Sequence, residues 1–111
     1  MSIMYHRFNE NKYPSTNIKI DIFKEHLQII KDSSYNFLNP KDLKNNLMIQ
    51  KKNKEILITI DDGFKSFYEE AWPILKKEKI PFILFISTEP VGKNGYMNWS
   101  QIKEIEKSDF A

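Results

Sequence analysis

Residues 55–63 read Glu55-Ile56-Leu57-Ile58-Thr59-Ile60-Asp61-Asp62-Gly63, a β-branched apolar run that ends in two adjacent carboxylates and a glycine. The run has the composition of a strand, and Asp-Asp-Gly is its stop. Apolar residues at both parities mean that both faces are covered, as parallel strands require. Carboxylates beside a core strand are costly to desolvate. They must be paired, hydrogen-bonded or bound to a cation.

Working outward, Pro81 to Ser87 encloses Phe82-Ile83-Leu84-Phe85-Ile86 and reads as a second buried strand. Between the two, Phe64 to Lys79 reads as an amphipathic helix with Phe67, Tyr68, Ala71, Ile74 and Leu75 on one side and a kink at Pro73. Upstream, Ile3 to Tyr5 is a short first strand, and the polar stretch Asn9 to Thr16, with Pro14, is a loop. Ile18, Ile22, Phe23, Leu27, Ile29 and Ile30 fall close to helical spacing, and Asp21 suits the helix dipole. Tyr35 to Leu38 is a strand candidate. Asn39 then caps a helix with Pro40 at its first position, running to about Met48. Downstream, Thr88 to Asn98 is a loop with Pro90, Gly92 and Gly95. Asn98 or Ser100 caps a last short helix through Ile102 and Ile105. Trp72 and Trp99 read as core aromatics. Alternating strands and helices imply parallel strands joined by helical crossovers, an α/β fold.

Composition bounds the reading. The chain has 111 residues, 41% hydrophobic and 29% charged, which suits one domain with a modest core and argues against disorder. Net charge is +2 and Arg7 is the only arginine. Nucleic-acid recognition leans on the arginine fork, so nucleic acid is not an expected partner, and Lys51-Lys52-Asn53-Lys54 reads as a solvated loop. Absence of cysteine excludes a disulfide framework, a thiolate zinc site and a cysteine nucleophile. No Gly-rich phosphate loop occurs. No apolar run approaches the ~20 residues of a membrane span. Met1 to His6 has neither a basic n-region nor an apolar h-region, so the sequence as written is expected in the cytoplasm.

Ligands of α/β folds bind at the carboxyl ends of the strands. His6 follows the first strand, Asp61 and Asp62 the third, and Ser87-Thr88-Glu89 the fourth. Parallel strands would place all three on one rim. Each has a plainer reading. Asp62-Gly63 is also a turn or helix-cap signature. His6 alone suits a satisfied, partly buried histidine, His26 in mid-helix reads as structural, and Glu89-Pro90 reads as loop.

The segment Ile56 to Gly63 resembles the first motif of the polysaccharide deacetylase family (NodB-homology domains, carbohydrate esterase family 4), a strand ending in Thr-Phe-Asp-Asp-Gly, with Ile60 here in place of Phe. Met4-Tyr5-His6-Arg7-Phe8 resembles the Tyr-His opening of the biofilm-type members. Ala71 to Lys77, Ile80 to Ile86 and Tyr96 to Ile102 resemble the helix, the strand and the pre-motif segment that follow in that family. The resemblance implies the N-terminal half of an irregular (β/α) barrel, a single and truncated deacetylase domain over 1–111. It implies a metal-dependent hydrolase that removes N- or O-acetyl groups from a carbohydrate polymer of acetylated amino sugars. By the same resemblance Asp61 is the general base, Asp62 a ligand of a divalent metal (zinc first, cobalt or nickel otherwise), and His6 lines the pocket near the substrate. The family's second motif, His-Ser/Thr-x-x-His, is not in the chain, whose histidines are His6 and His26. The metal site is therefore expected to be incomplete here, and the second half of the barrel is expected to lie beyond Ala111. Two alternatives stand beside this reading. One is a non-catalytic carbohydrate-binding or scaffold remnant in which Asp61-Asp62 survives as a turn. The other is a phospho-accepting signalling domain, which would need a third acid and a lysine on neighbouring strand ends.

Overall fold

β5 (Glu55–Ile60) is the hub of the sheet, because its backbone is engaged on both flanks. The computed structural model describes residues 1–40 and 55–108. β1 (Ser2–Tyr5) lies parallel on one flank, in the register Ser2↔Leu57 to Tyr5↔Ile60. In a parallel ladder each residue turns its N–H and C=O to one side, and successive residues alternate. Leu57 and Asp61 donate to the Met1 and Tyr5 carbonyls, so odd positions face β1. Ile56 and Ile60 accept from Leu38 and Phe85, so even positions face the opposite flank. That flank is shared by β4 (Asn36–Phe37), beside Glu55 and Ile56, and β6 (Ile83–Leu84), beside Thr59 and Ile60, both parallel. The expected parallel α/β arrangement is thus observed among the described residues.

This sharing corrects the strand expected over 81–87. Only Ile83–Leu84 pair, because β5 offers β6 just Thr59 and Ile60 before it ends. The first loop also differs from expectation. Arg7–Phe8 (β2) and Asn17–Ile18 (β3) form a separate parallel pair that clasps residues 9–16, and two-residue strands leave no alternating pattern to read.

α1 (Ile20–Asp32) packs through Phe23, Leu27 and Ile30, spaced at one face of the helix. Ile22 and Ile29, counted in the same periodicity, point outward. The helix expected over 64–79 is instead a π-helical turn (Phe67–Ala71) that leads into α2 (Trp72–Glu78). Pro73 is the reason: it has no N–H, and its ring would collide with a carbonyl one turn back. The wider turn, closed by Trp72 N–H on the Phe67 carbonyl, places Pro73 at the start of a fresh α-helix, where proline is tolerated. Phe67, Ala71 and Leu75 are wholly buried as expected, and Trp72 joins them. Trp99 does not: it is 50% exposed at the start of α3 (Trp99–Glu106), whose spacing turns Ile105 inward instead. Asn98 caps α3 reciprocally with Gln101.

Tyr5, Phe8, Phe23, Phe67, Trp72 and Phe82 form a continuous aromatic core between β5 and the helices, with edge-on pairs such as Phe8–Phe23 at 4.9 Å. Lys31 of α1 pairs with Glu78 of α2. The helix expected over 40–48 lies outside the described residues. No helix among the described residues is long and apolar enough to cross a membrane.

Candidate active site

Because β1 and β5 are parallel and in register, His6 and Asp61 leave the sheet side by side. The Asp61 N–H donates to the Tyr5 carbonyl at 2.9 Å. His6 Nε2 lies 3.7 Å from Asp61 Oδ2, an electrostatic contact too long for a hydrogen bond. Both side chains are about three-quarters buried, at 26% and 23% exposure. Asp61 Oδ1 is buried and has no hydrogen-bond partner among the described residues. A desolvated carboxylate oxygen with no donor is costly, and such orphans in folded proteins mark a place for a proton, a water or a cation.

Asp62 and Gly63 both adopt left-handed backbone, at φ 75° and 71°. They form a turn, and Asp62 makes no side-chain hydrogen bond or ion pair among the described residues, so it does not cap the helix that follows. Its half-buried carboxylate is free for an outside partner. Gly63 is favoured by its φ, and its open side is taken up by the end of the Ile86 side chain. A Cβ there would meet Ile86 Cδ1 at 2.9 Å. The turn is stitched down by Met97 N–H to the Gly63 carbonyl, Lys65 N–H to the Gly95 carbonyl, and the Phe64–Tyr96 bridge. The glycine-bearing loop is thus the brace that fixes the two aspartates.

A second brace was not foreseen. The Arg7 guanidinium sits between the rings of Tyr13 and Phe64, at 4.1 and 3.8 Å from their centroids. It donates to Thr16 Oγ1 and to Glu10 Oε1, both at 3.2 Å. The other Glu10 oxygen accepts from the buried Ser66 hydroxyl at 2.6 Å, and Ser66 Oγ accepts the Phe8 N–H. These contacts pin the 9–16 loop beside His6. The one sequence signal was a lone arginine directly after the rim histidine. Behind the site, the Tyr5 hydroxyl and His26 Nδ1 share a 2.8 Å hydrogen bond, and burial pushes the Tyr5 hydroxyl up to about 12. His26 is structural, as expected.

Ser87, Thr88 and Glu89 follow β6 at the same end of the sheet, but among the described residues they make no hydrogen bond or ion pair with His6, Asp61 or Asp62. The described residues gather no three acidic or histidine side chains as a metal centre. A catalytic zinc takes three protein ligands. The donors present therefore do not fit a zinc ion by themselves. The same absence of a third acid among the described residues removes the support for a phospho-accepting site.

The described residues thus form a parallel α/β half-sheet with an acidic pair at its carboxyl rim, the end at which α/β folds bind their ligands. The polysaccharide deacetylase family model matches residues 49–111, more than half of the sequence, and the chain belongs to that family. Among its relatives is the poly-β-1,6-N-acetyl-D-glucosamine N-deacetylase of Staphylococcus aureus, 36% identical over 92 residues, which covers 79% of this chain and 31% of that protein. The structure of IcaB from Ammonifex degensii superposes with a TM-score of 0.87 at 31% identity, over 98% of this chain and 48% of that one. The Streptococcus pyogenes deacetylase PplD, solved in complex with acetate, superposes with a TM-score of 0.79 at 28% identity, over 95% and 50%. The chain thus spans about half the length of the solved deacetylases and about a third of the curated relative. Its architecture matches about half of their barrel-type fold.

Proposed function

We propose that this chain carries the acid–base half of a deacetylase site that acts on acetylated amino sugars of a carbohydrate polymer. The observation that carries the reading is the buried Asp61 Oδ1 without a donor, beside His6 at the carboxyl ends of two paired strands. A carboxylate so placed accepts a proton from an attacking water. Water then adds to the acetyl carbonyl carbon, the carbon–nitrogen bond breaks, acetate leaves and the amine takes up a proton. His6, 3.7 Å from the other Asp61 oxygen, lines the pocket near the substrate. Asp62 is the residue assigned to a divalent metal, zinc first and cobalt or nickel otherwise. When bound, such a metal supplies carbonyl polarisation. Its remaining ligands are not among the described residues, and no step above depends on it.

A chimera tests this. The segment of the S. aureus relative that aligns with this chain is replaced by this chain's residues, and acetate release from poly-β-1,6-N-acetylglucosamine is followed. The expected result is an active chimera in which Asp61→Asn lowers the rate ~10²–10⁴-fold, the usual worth of a general base. A folded chimera that releases no acetate, or one indifferent to Asp61→Asn, would overturn the proposal and favour a non-catalytic carbohydrate-binding role.

A further inference from the structure

The loop that braces the two aspartates carries Asn94-Gly95, the one asparagine in the sequence that is followed by glycine. Both residues are exposed. The Tyr96 N–H closes a turn onto the Lys93 carbonyl at 3.0 Å, with Gly95 in left-handed backbone at φ 85°. Neither the Gly95 N–H nor the Asn94 side chain has a partner among the described residues. Apart from the chain neighbours, no atom stands within 4 Å of where a Cβ on Gly95 would lie. We infer that Asn94 is a site of spontaneous covalent modification, deamidation to isoaspartate, and that the change loosens the brace on the Asp61–Asp62 turn. The inference does not depend on the reaction proposed above.

Asparagine is among the thermally labile residues, because its amide carbon can be reached by the next backbone nitrogen. The Gly95 nitrogen sheds its proton and adds to Asn94 Cγ. A C–N bond forms, the Cγ–Nδ2 bond breaks, and ammonia leaves with that proton. The product is a cyclic imide. Water opens the ring at either carbonyl and leaves a carboxylate, as aspartate or as isoaspartate. No oxidant, reductant or enzyme is consumed. Glycine favours the closure because no side chain hinders the attacking nitrogen. Other asparagines lack these conditions. The Asn98 side chain accepts the Gln101 N–H and is followed by Trp99, and Asn17 Oδ1 accepts the Glu10 N–H and is followed by the β-branched Ile18.

Isoaspartate routes the chain through the former side chain, so the backbone gains a methylene and the loop gains a negative charge. The ties that hold the acidic turn lie immediately downstream. The Gly95 carbonyl accepts the Lys65 N–H at 2.9 Å, and the Met97 N–H donates to the Gly63 carbonyl at 3.0 Å. Between them Tyr96 bridges to Phe64, with ring centroids 5.0 Å apart. All of these grip the segment that directly follows Asp61 and Asp62. A tight turn cannot absorb an extra backbone atom and keep this whole register.

The test ages the 111-residue chain in mildly alkaline buffer and follows the tryptic peptide that starts at Asn94 by chromatography and mass spectrometry. That peptide also contains Asn98, an internal comparison. Asn94 should convert ahead of Asn98 and of every other asparagine, with isoaspartate as the major product. Hydrogen–deuterium exchange at the Lys65 and Met97 amides should quicken about fivefold in the aged chain, the worth of about one net hydrogen bond. Asn94→Gln, aged in parallel, should stay unmodified and keep the slow exchange. Fresh Asn94→Asp, which carries the charge without the added methylene, should exchange like the parent. An Asn94 that persists as long as Asn98 would overturn the site. Isoaspartate without faster exchange, or equal quickening in fresh Asn94→Asp, would overturn its effect on the brace.

Discussion

At the scale of single residues, the site concentrates backbone strain where the carboxylates stand. Asp62 has a left-handed φ of 75°, a region that costs a non-glycine residue ~1–2 kcal/mol and aspartate somewhat less. Gly63 is already glycine, so Asp62 is the position of the turn where strain is retained. It is retained at a residue with no partner among the described residues, which is the pattern of a side chain kept for a ligand. Thermal unfolding of two variants checks this. Asp62→Gly should be as stable as the parent or more so, and Asp62→Ala about 1 kcal/mol less stable than Asp62→Gly. Equal stabilities for the two would show that the turn stores no strain.

At the scale of elements, one polar side chain of α3 clamps it to its neighbours, beside the apolar contact of the buried Ile105. Glu104 accepts from Tyr68 Oη at 2.9 Å and from Trp72 Nε1 at 3.0 Å, so it joins α3 to the π-turn and to α2. The bond from Trp72, and then that from Tyr68, hold its carboxyl below the usual carboxylate range. A lowered folded value means that the stabilisation is complete above the unfolded pKa of ~4 and is lost as pH falls through the folded value. The advantage of the parent over Glu104→Ala in thermal midpoint should thus be constant from about pH 7 to 5 and shrink below about pH 4. An advantage that grows on acidification would contradict the assignment. This clamp also shows what the sequence concealed. The β5 strand, its acidic end, α1, the Asn98 cap and the parallel topology were legible because apolar periodicity and turn residues encode them locally. The Asp61–His6 neighbourhood was legible because parallel register follows from alternation. The Glu104 clamp, the Arg7 brace and the π-turn were not, because they join side chains far apart in sequence or resolve a local conflict at Pro73. Trp99 was misread because residue type suggests burial while helix phase decides it. Likewise β6 was read too long, since strand length depends on what its neighbour leaves open.

At the scale of the whole molecule, the incomplete donor set and the open sheet are two sides of one architecture. With no three-ligand cluster among the described residues, the 111-residue chain should bind zinc weakly and release no measurable acetate alone. Stoichiometric, tight zinc binding in calorimetry, abolished by Asp62→Asn, would refute this. The sheet's β6 side sets solution behaviour. β6 pairs with β5 and with no other strand among the described residues, and Phe85 just beyond it is 54% exposed. An apolar cavity of about 360 Å³, lined by Ile83, Leu84, Ile86, Ile102 and Ile105, opens beside it. A free edge next to apolar surface is a template for pairing with another chain. Each large apolar side chain left in water forgoes ~1.5–3 kcal/mol, against a domain stability of only ~5–15 kcal/mol. Light scattering of the 111-residue chain should give a mass well above its 13.3 kDa. Phe85→Lys, which places a charge on the edge, should shift the population toward monomer. A sharp monomer peak with cooperative melting for the unsubstituted chain would mean that this face is closed in solution and that the edge drives no association.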